Sequence, residues 1–315
     1  MATSSKARAE ALAIGGAASL AVLKLATGLA INSIGLISAA ADSLIDVLIS
    51  GLNLLSIRLA DSPADEGHPY GHGKVENLAG LAQGTLIAAV GGWVIFEAAR
   101  RFLRGVRPEH SEWGAAVMVV SIGVSWLIAR NLRRVAALTD SPVLLADSLH
   151  YAMDVWTNGG VLAALVLFRF TGAAVFDPLI ATVVGAMILG SSSRILTRSV
   201  ADLMDAAIPA EEQRAIERTI RRHRFVVSFH DMRTRRSGSQ RQIDFSVVLC
   251  RHLPLGDAHD LVDHVEKEIE RTIPRSHVVV HAEPCAPDCK LTDRCMLWSS
   301  QADLLAHDPG RAGEG

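Results

Sequence analysis

His150 and Asp154 stand four residues apart inside an apolar run that extends from about Pro142 to Phe168. Asp42 and Asp46 repeat that spacing in a second apolar run, Ala39-Ala40-Ala41-Asp42-Ser43-Leu44-Ile45-Asp46. On a helix, positions i and i+4 share a face. The two pairs together offer three carboxylates and one imidazole, a donor set suited to a four-coordinate ion such as Zn2+. Ionised carboxylates in a low-dielectric interior are costly, so protons occupy part of such a site when no metal does. Metal binding then releases those protons. A site that opened alternately to two sides would exchange metal for protons. Interhelical hydrogen bonding alone explains one such pair more readily than two.

The elements that must position these residues are long apolar helices. A bilayer core needs about 20 apolar residues. Six candidate spans meet that length, at about 11–31, 34–58, 77–99, 113–133, 142–168 and 178–197. Ser111 precedes the fourth, and Ser141-Pro142 and Asp177-Pro178 read as an N-cap followed by proline at the first helical position. An even number of spans puts both termini on one side. Lys6, Arg8, Arg58, Lys74, Arg130, Arg133 and Arg134 fall on that side, but Arg100, Arg101, Arg104 and Arg107 fall on the other. Charge alone therefore does not orient the chain; the size of the C-terminal segment places both termini in the cytosol. Lys24, Gln83, Glu97, Asp147 and Asn158 also lie at membrane depth. Lys24 reads as a snorkelling side chain or the partner of a carboxylate.

The 315 residues are 50% hydrophobic, with the long apolar runs confined to the first two-thirds. A formal net charge of −2 gives no basis for a nucleic-acid partner. The first ten residues are polar and no small-residue cleavage site follows a short apolar core, so no removable signal peptide is expected. The last third predicts helices over 210–223 and 256–272 and strands over 225–234, 241–250 and 277–283, with a polar turn at 235–239. The order αββαβ implies a small two-layer α+β domain. The expected divisions are a 1–10 tail, an 11–207 membrane domain, a 208–285 soluble domain and a 286–315 tail.

Three further constellations could bind metal. Asp65, His68 and His72 lie in the loop after the second span, with Glu66 or water as a fourth ligand. In the soluble part His230, His259 and His281 stand out, because His281 and Glu283 share one face of a strand. His223, His252, His264, His277 and His307 read as surface residues. Cys250, Cys285, Cys289 and Cys295 are expected as reduced thiols in the cytosol. The spacing Cys285-x3-Cys289-x5-Cys295 matches no common zinc-finger pattern, though the three thiols could hold a soft ion.

These motifs resemble the cation diffusion facilitator family, in particular its bacterial zinc and ferrous-iron efflux branch. The resemblance covers about residues 10–285. It rests on Asp-Ser-Leu-Ile-Asp at 42–46, His-Pro-Tyr-Gly-His-Gly-Lys-Val-Glu at 68–76 and Asp-Ser-Leu-His-Tyr-Ala-Met-Asp at 147–154. It implies a multi-pass protein of six transmembrane helices with a C-terminal ferredoxin-like, metallochaperone-like cytosolic domain. It also implies a homodimer in the cell (inner) membrane that exports divalent metal against protons. By motif, Asp42, Asp46, His150 and Asp154 would form the transport site, and Asp65, His68 and His72 the loop site. Lys74 would pair with Asp205 across the dimer. His230, His259, His281 and Glu283 would hold a binuclear cytosolic site. Ser246 stands where relatives of this branch carry a further histidine, and Glu283 where they carry aspartate.

The mixed His/carboxylate set favours Zn2+, with Cd2+, Fe2+ and Co2+ behind it. The expected partners are a second copy of the chain, divalent ions, protons and membrane lipids. Two other classes compete. A membrane-anchored metal sensor would have no use for buried carboxylates in its anchor. An intramembrane metalloprotease would need a motif such as His-Glu-x-x-His, which is absent.

Overall fold

A computed structural model describes residues 2–30, 34–104, 112–171 and 175–287. Ser111, Arg107, Cys289, Cys295 and His307 lie outside the described residues. The chain divides into two units, the first ending at Leu203 and the second beginning at Met204.

The first unit holds six long helices among the described residues: α1 (Ala2–Ala30), α2 (Ile34–Ala60), α3 (Lys74–Arg104), α4 (Glu112–Thr139), α5 (Pro142–Thr171) and α6 (Phe176–Leu203). Five are long and apolar enough to cross a membrane by length and composition. The other is α5, whose apolar run is interrupted by Asp147, His150 and Asp154. The outer faces carry Leu12, Leu48, Leu52, Trp93, Phe96 and Leu127, all exposed. A protein dissolved in water does not present apolar surface on this scale; a bilayer accepts it.

Small residues set the helix spacing. Ala9, Ala13 and Ala17 repeat every four residues on α1 and pack in one cluster with Ile128, Ala129, Leu132 and Ala136 of α4. Between α3 and α6, a Cβ on Gly185 would lie 2.6 Å from Ile95 Cγ1 and 3.1 Å from the Gly91 carbonyl oxygen. A Cβ on Gly91 would lie 2.7 Å from Ile188 Cγ2. A side chain at Gly185 must push the helices apart, so Gly185→Val is expected to cost about 1–3 kcal/mol. A lower midpoint in detergent thermal unfolding would show this; an unchanged one would remove the close-contact argument.

Of the two proline start signals, the first holds: α5 opens at Pro142, with the Ser141 hydroxyl donating to Glu76 Oε2 at 2.8 Å. The second needs correction. The sixth helix begins at Phe176, before Pro178, because the Leu179 N–H already bonds the Val175 carbonyl at 3.2 Å. Proline is tolerated there because first-turn N–H groups have no intrahelical acceptor.

The second unit runs α7 (Ala210–Arg222), β1 (Val226–Ser237), β2 (Gln240–Leu249), α8 (Leu255–Thr272) and β3 (Ser276–Pro284). The strands form one sheet in the order β1-β2-β3, the first pair antiparallel and the second parallel. Ile216 and Ile220 of α7 and Leu261, Val265 and Ile269 of α8 pack on Ile243, Phe245, Val247 and Leu249 of β2. Both helices thus cover one face, and alternate residues such as Asp244 and Ser246 point to the other. The expected turn at 235–239 is tighter than its polarity implied. Strand pairing continues to Ser237 and Gln240 around Gly238, whose φ is 59°. Arg236 and Arg241 are buried because both reach Glu212 of α7, at 3.2 and 2.6 Å. Cys285 is also buried, its N–H bonded to the Leu249 carbonyl at 2.8 Å, and Cys250 and Cys285 are free thiols.

Candidate metal centre

The i, i+4 pairs on α2 and α5 face a common cavity of about 610 Å³, lined among others by Lys24, Asp42, Asp46, His150, Asp154 and Asn158. His150 Nε2 lies 2.8 Å from Asp46 Oδ1. Asp46, His150 and Asp154 each offer a ligand atom, all within 4.8 Å of one another. This three-residue group does not extend to Asp42, which lines the same cavity one turn away. Lys24 donates to the Ser43 hydroxyl at 2.8 Å rather than emerging toward water.

Behind the group lies a polar network that sequence reading did not assemble. Asp147 is fully buried and accepts from Gln83 Nε2 at 2.8 Å and from the Ser50 hydroxyl at 3.3 Å. The Ser50 and Tyr151 oxygens are 3.1 Å apart, and Asn53 donates to Gln83 at 3.4 Å. Glu10 of α1, also fully buried, lies close enough to Asp147 for the two carboxyls to interact electrostatically. The network fixes α5 against α2 and α3, which holds the His150 ring in place.

In the loop after α2, Asp65, His68 and His72 also bring ligand atoms within 4.8 Å of one another. Asp65 Oδ1 is 3.2 Å from His68 Nδ1, and Asp65 Oδ2 is 3.3 Å from His72 Nε2. The loop is closed by backbone bonds between Asp65 and His68 in both directions and by Gly71 at φ 80°. The His68 N–H donates to Asp65 Oδ1 at 2.6 Å. That bond holds the Asp65 carboxyl below its ordinary 3.8. Its contribution is therefore fully present above pH 3.8 and is lost as pH falls through the lower folded value. The protection of the His68 N–H, its exchange rate relative to an unstructured amide at the same pH, should hold down to that folded value and fall below it; loss of protection well above it would contradict the assignment.

On the open face of the sheet, His230 is paired in register with Ser246, and Ser246 with His281. Glu283 lies 3.3 Å from His230 Nε2 and 3.9 Å from His281 Nε2. Asp231, which sequence reading missed, sits 3.2 Å from His230 Nδ1. It is turned there by a break in strand register and a φ of 53°. The hydrogen bond to Asp231, reinforced by Glu283, raises the His230 imidazole above its ordinary 6.5. His259 is exposed on α8 beside Asp263 and is not among the grouped ligands of the described residues. Asp205 lies 3.4 Å from Arg235 within the second unit, and Lys74 opens α3.

One expectation is overturned. His223 is not a surface residue: it has no exposure, and with His264 and Glu268 it forms a third potential ligand group.

Six long helices with apolar outer faces and ionisable residues facing an interior cavity, followed by a separate α/β unit, define a polytopic membrane protein. The chain belongs to the cation efflux family of membrane transporters: the cation efflux transmembrane domain matches residues 11–204 and the cation efflux protein cytoplasmic domain matches residues 208–285. It is thus a transporter and not an enzyme. The cation-efflux pump FieF of Serratia proteamaculans is 37% identical over 270 residues, covering 85% of this chain and 89% of that protein. FieF of Salmonella agona is 34% identical over 279 residues, covering 89% and 93%. Among solved structures, a chain of CzrB is 29% identical and matched over its whole length by 25% of this chain; the TM-score of 0.23 is too low to argue from.

Proposed function

We propose that the protein exports divalent metal, Zn2+ first and Cd2+, Fe2+ or Co2+ behind it, in exchange for protons. The observation that carries this reading is the convergence of Asp46, His150 and Asp154 within 4.8 Å, in a cavity inside a bundle of membrane helices. Nitrogen and oxygen donors at that spacing suit a tetrahedral dication. Asp42 completes the set by a small movement of α2 as the ion enters. The same carboxylates and imidazole take up protons when the ion leaves, so one site serves both substrates in turn. Alternating access moves it between the two sides of the inner membrane, with both termini cytosolic.

The working unit in this proposal is a homodimer. Among the described residues, helices cover one face of the soluble sheet, and His230, His281 and Glu283 lie toward the other, where a second copy could contribute. His259 joins them from α8 after rearrangement. Asp65, His68 and His72 bind a loop ion, and Lys74 pairs with Asp205 between subunits. The alternative, a membrane-anchored metal sensor, gives the cavity carboxylates no purpose.

Zinc uptake into inside-out vesicles, with and without an imposed proton gradient, tests the reading. Uptake that follows the gradient is expected. Absence of flux with Zn2+, Cd2+, Fe2+, Co2+ and Mn2+ alike would leave the sensor standing.

A further inference from the structure

We propose that His223, His264 and Glu268 form a metal site of their own between α7 and α8, suited to Zn2+ or a similar tetrahedral dication. The site is independent of the cavity, loop and open-sheet groups. The three ligand atoms lie within 4.8 Å of one another. Glu268 Oε2 is 3.2 Å from His223 Nε2 and 3.9 Å from His264 Nε2. A tetrahedral zinc with bonds of about 2.1 Å has ligand–ligand edges of about 3.4 Å. The two glutamate–imidazole separations fall either side of that edge, and the imidazole nitrogens lie within 4.8 Å of each other, so side-chain shifts close the group on an ion.

The surroundings orient the donors. His223 Nδ1 is 3.0 Å from the Thr219 carbonyl oxygen. A carbonyl only accepts, so Nδ1 carries the proton and Nε2 is the atom turned toward Glu268. The His223 and His264 rings meet edge to face at 73°, with centroids 5.4 Å apart, so they converge rather than stack. His264 and Glu268 are four residues apart on α8 and share its face. Glu268 Oε1 is 4.0 Å from Arg222 Nη1, which leaves Oε2 to the imidazoles.

Access is also built in. His223 is fully buried, but the His264 side chain is 32% exposed and that of Glu268 19%. His223 Nε2 and Glu268 Oε2 are themselves buried, so an ion would enter past the partly exposed His264 ring and bring the water that supplies the fourth ligand. A bound ion would fasten the last turn of α7 to α8, both of which pack on the sheet. The competing explanation is an ion pair between a protonated His223 and Glu268, with no affinity for metal.

The full chain in detergent, stripped with chelator and reloaded with Zn2+, separates the two by counting bound ions per subunit. His264→Gln and Glu268→Gln change partly exposed residues, and each should bind one ion fewer than the unaltered chain. In a chain that also carries Asp154→Ala, the two losses should add. Co2+ should show a tetrahedral absorption difference between the unaltered chain and His264→Gln. The metal-free variants should melt as the metal-free parent does, which separates ligand loss from unfolding. An unchanged count in both variants, or a lower metal-free melting point that accounts for the loss, would overturn the proposal. No flux is measured, so failure here leaves the transport reading untouched, and the reverse.

Discussion

Asp154→Ala should reduce zinc flux in vesicles by at least about 100-fold, since losing even an outer-shell partner of a metal ligand typically costs 10–100-fold. Asp154 is one of three residues whose ligand atoms meet within 4.8 Å in the cavity. Without it, an ion entering the cavity would find His150 and Asp46, already in contact at 2.8 Å, with Asp42 left to join them. Three donors, one of them outside the converged group, hold a tetrahedral dication less well than four. In the proposed exchange the proton side weakens too, because Asp154 would be one of the groups that takes up protons. Folding should survive, since Asp154 lines a cavity rather than the packed core. Zinc binding by the second unit should likewise persist, because its candidate ligands lie on α7, α8 and the sheet. Loss of flux with that binding intact identifies the cavity as the route. Normal flux in the variant would remove the transport-site assignment altogether.

The features legible in the sequence are those written in local periodicity. Pairs at i and i+4 inside apolar runs located the cavity residues, and proline with alternating patterns located the αββαβ unit. The failures have a common cause: they depend on contacts distant in sequence. Lys6 counted as a cytosolic positive charge, yet it is 1% exposed and held by Glu76 seventy positions away. Ser50, Asn53, Gln83 and Asp147 form one network from three helices, and no spacing rule joins them. His223 follows Arg221 and Arg222 at the end of an amphipathic helix, which reads as solvated. The chain instead turns extended at His223, with ψ 120°, and the ring swings under α8. Arg236 looked like part of a turn because its partner, Glu212, lies on a separate helix.

Glu76→Ala should be the most destabilising single change in the membrane unit, at about 3–5 kcal/mol, because it leaves a buried ammonium without its closest partner. Lys6 and Glu76 are each 1% exposed, and Lys6 Nζ lies 2.5 Å from Glu76 Oε1. The other carboxylate oxygen accepts from Ser141 at 2.8 Å, so the residue joins the start of α3 to α1 and to the entry of α5. Asp61 remains 3.7 Å from Lys6 in the variant and is more exposed, so it offsets part of the loss without replacing the short contact. Replacing both partners, as Lys6→Met with Glu76→Leu, should recover much of the stability, since the two buried charges go together and the more exposed Asp61 loses a longer contact. Thermal unfolding in detergent separates the cases. A large drop for the single change and a small one for the double would place the cost in the uncompensated charge. Equal drops would place it in the Ser141 contact and the packing at the start of α5, and no drop would show that the partners Lys6 keeps, Asp61 among them, suffice.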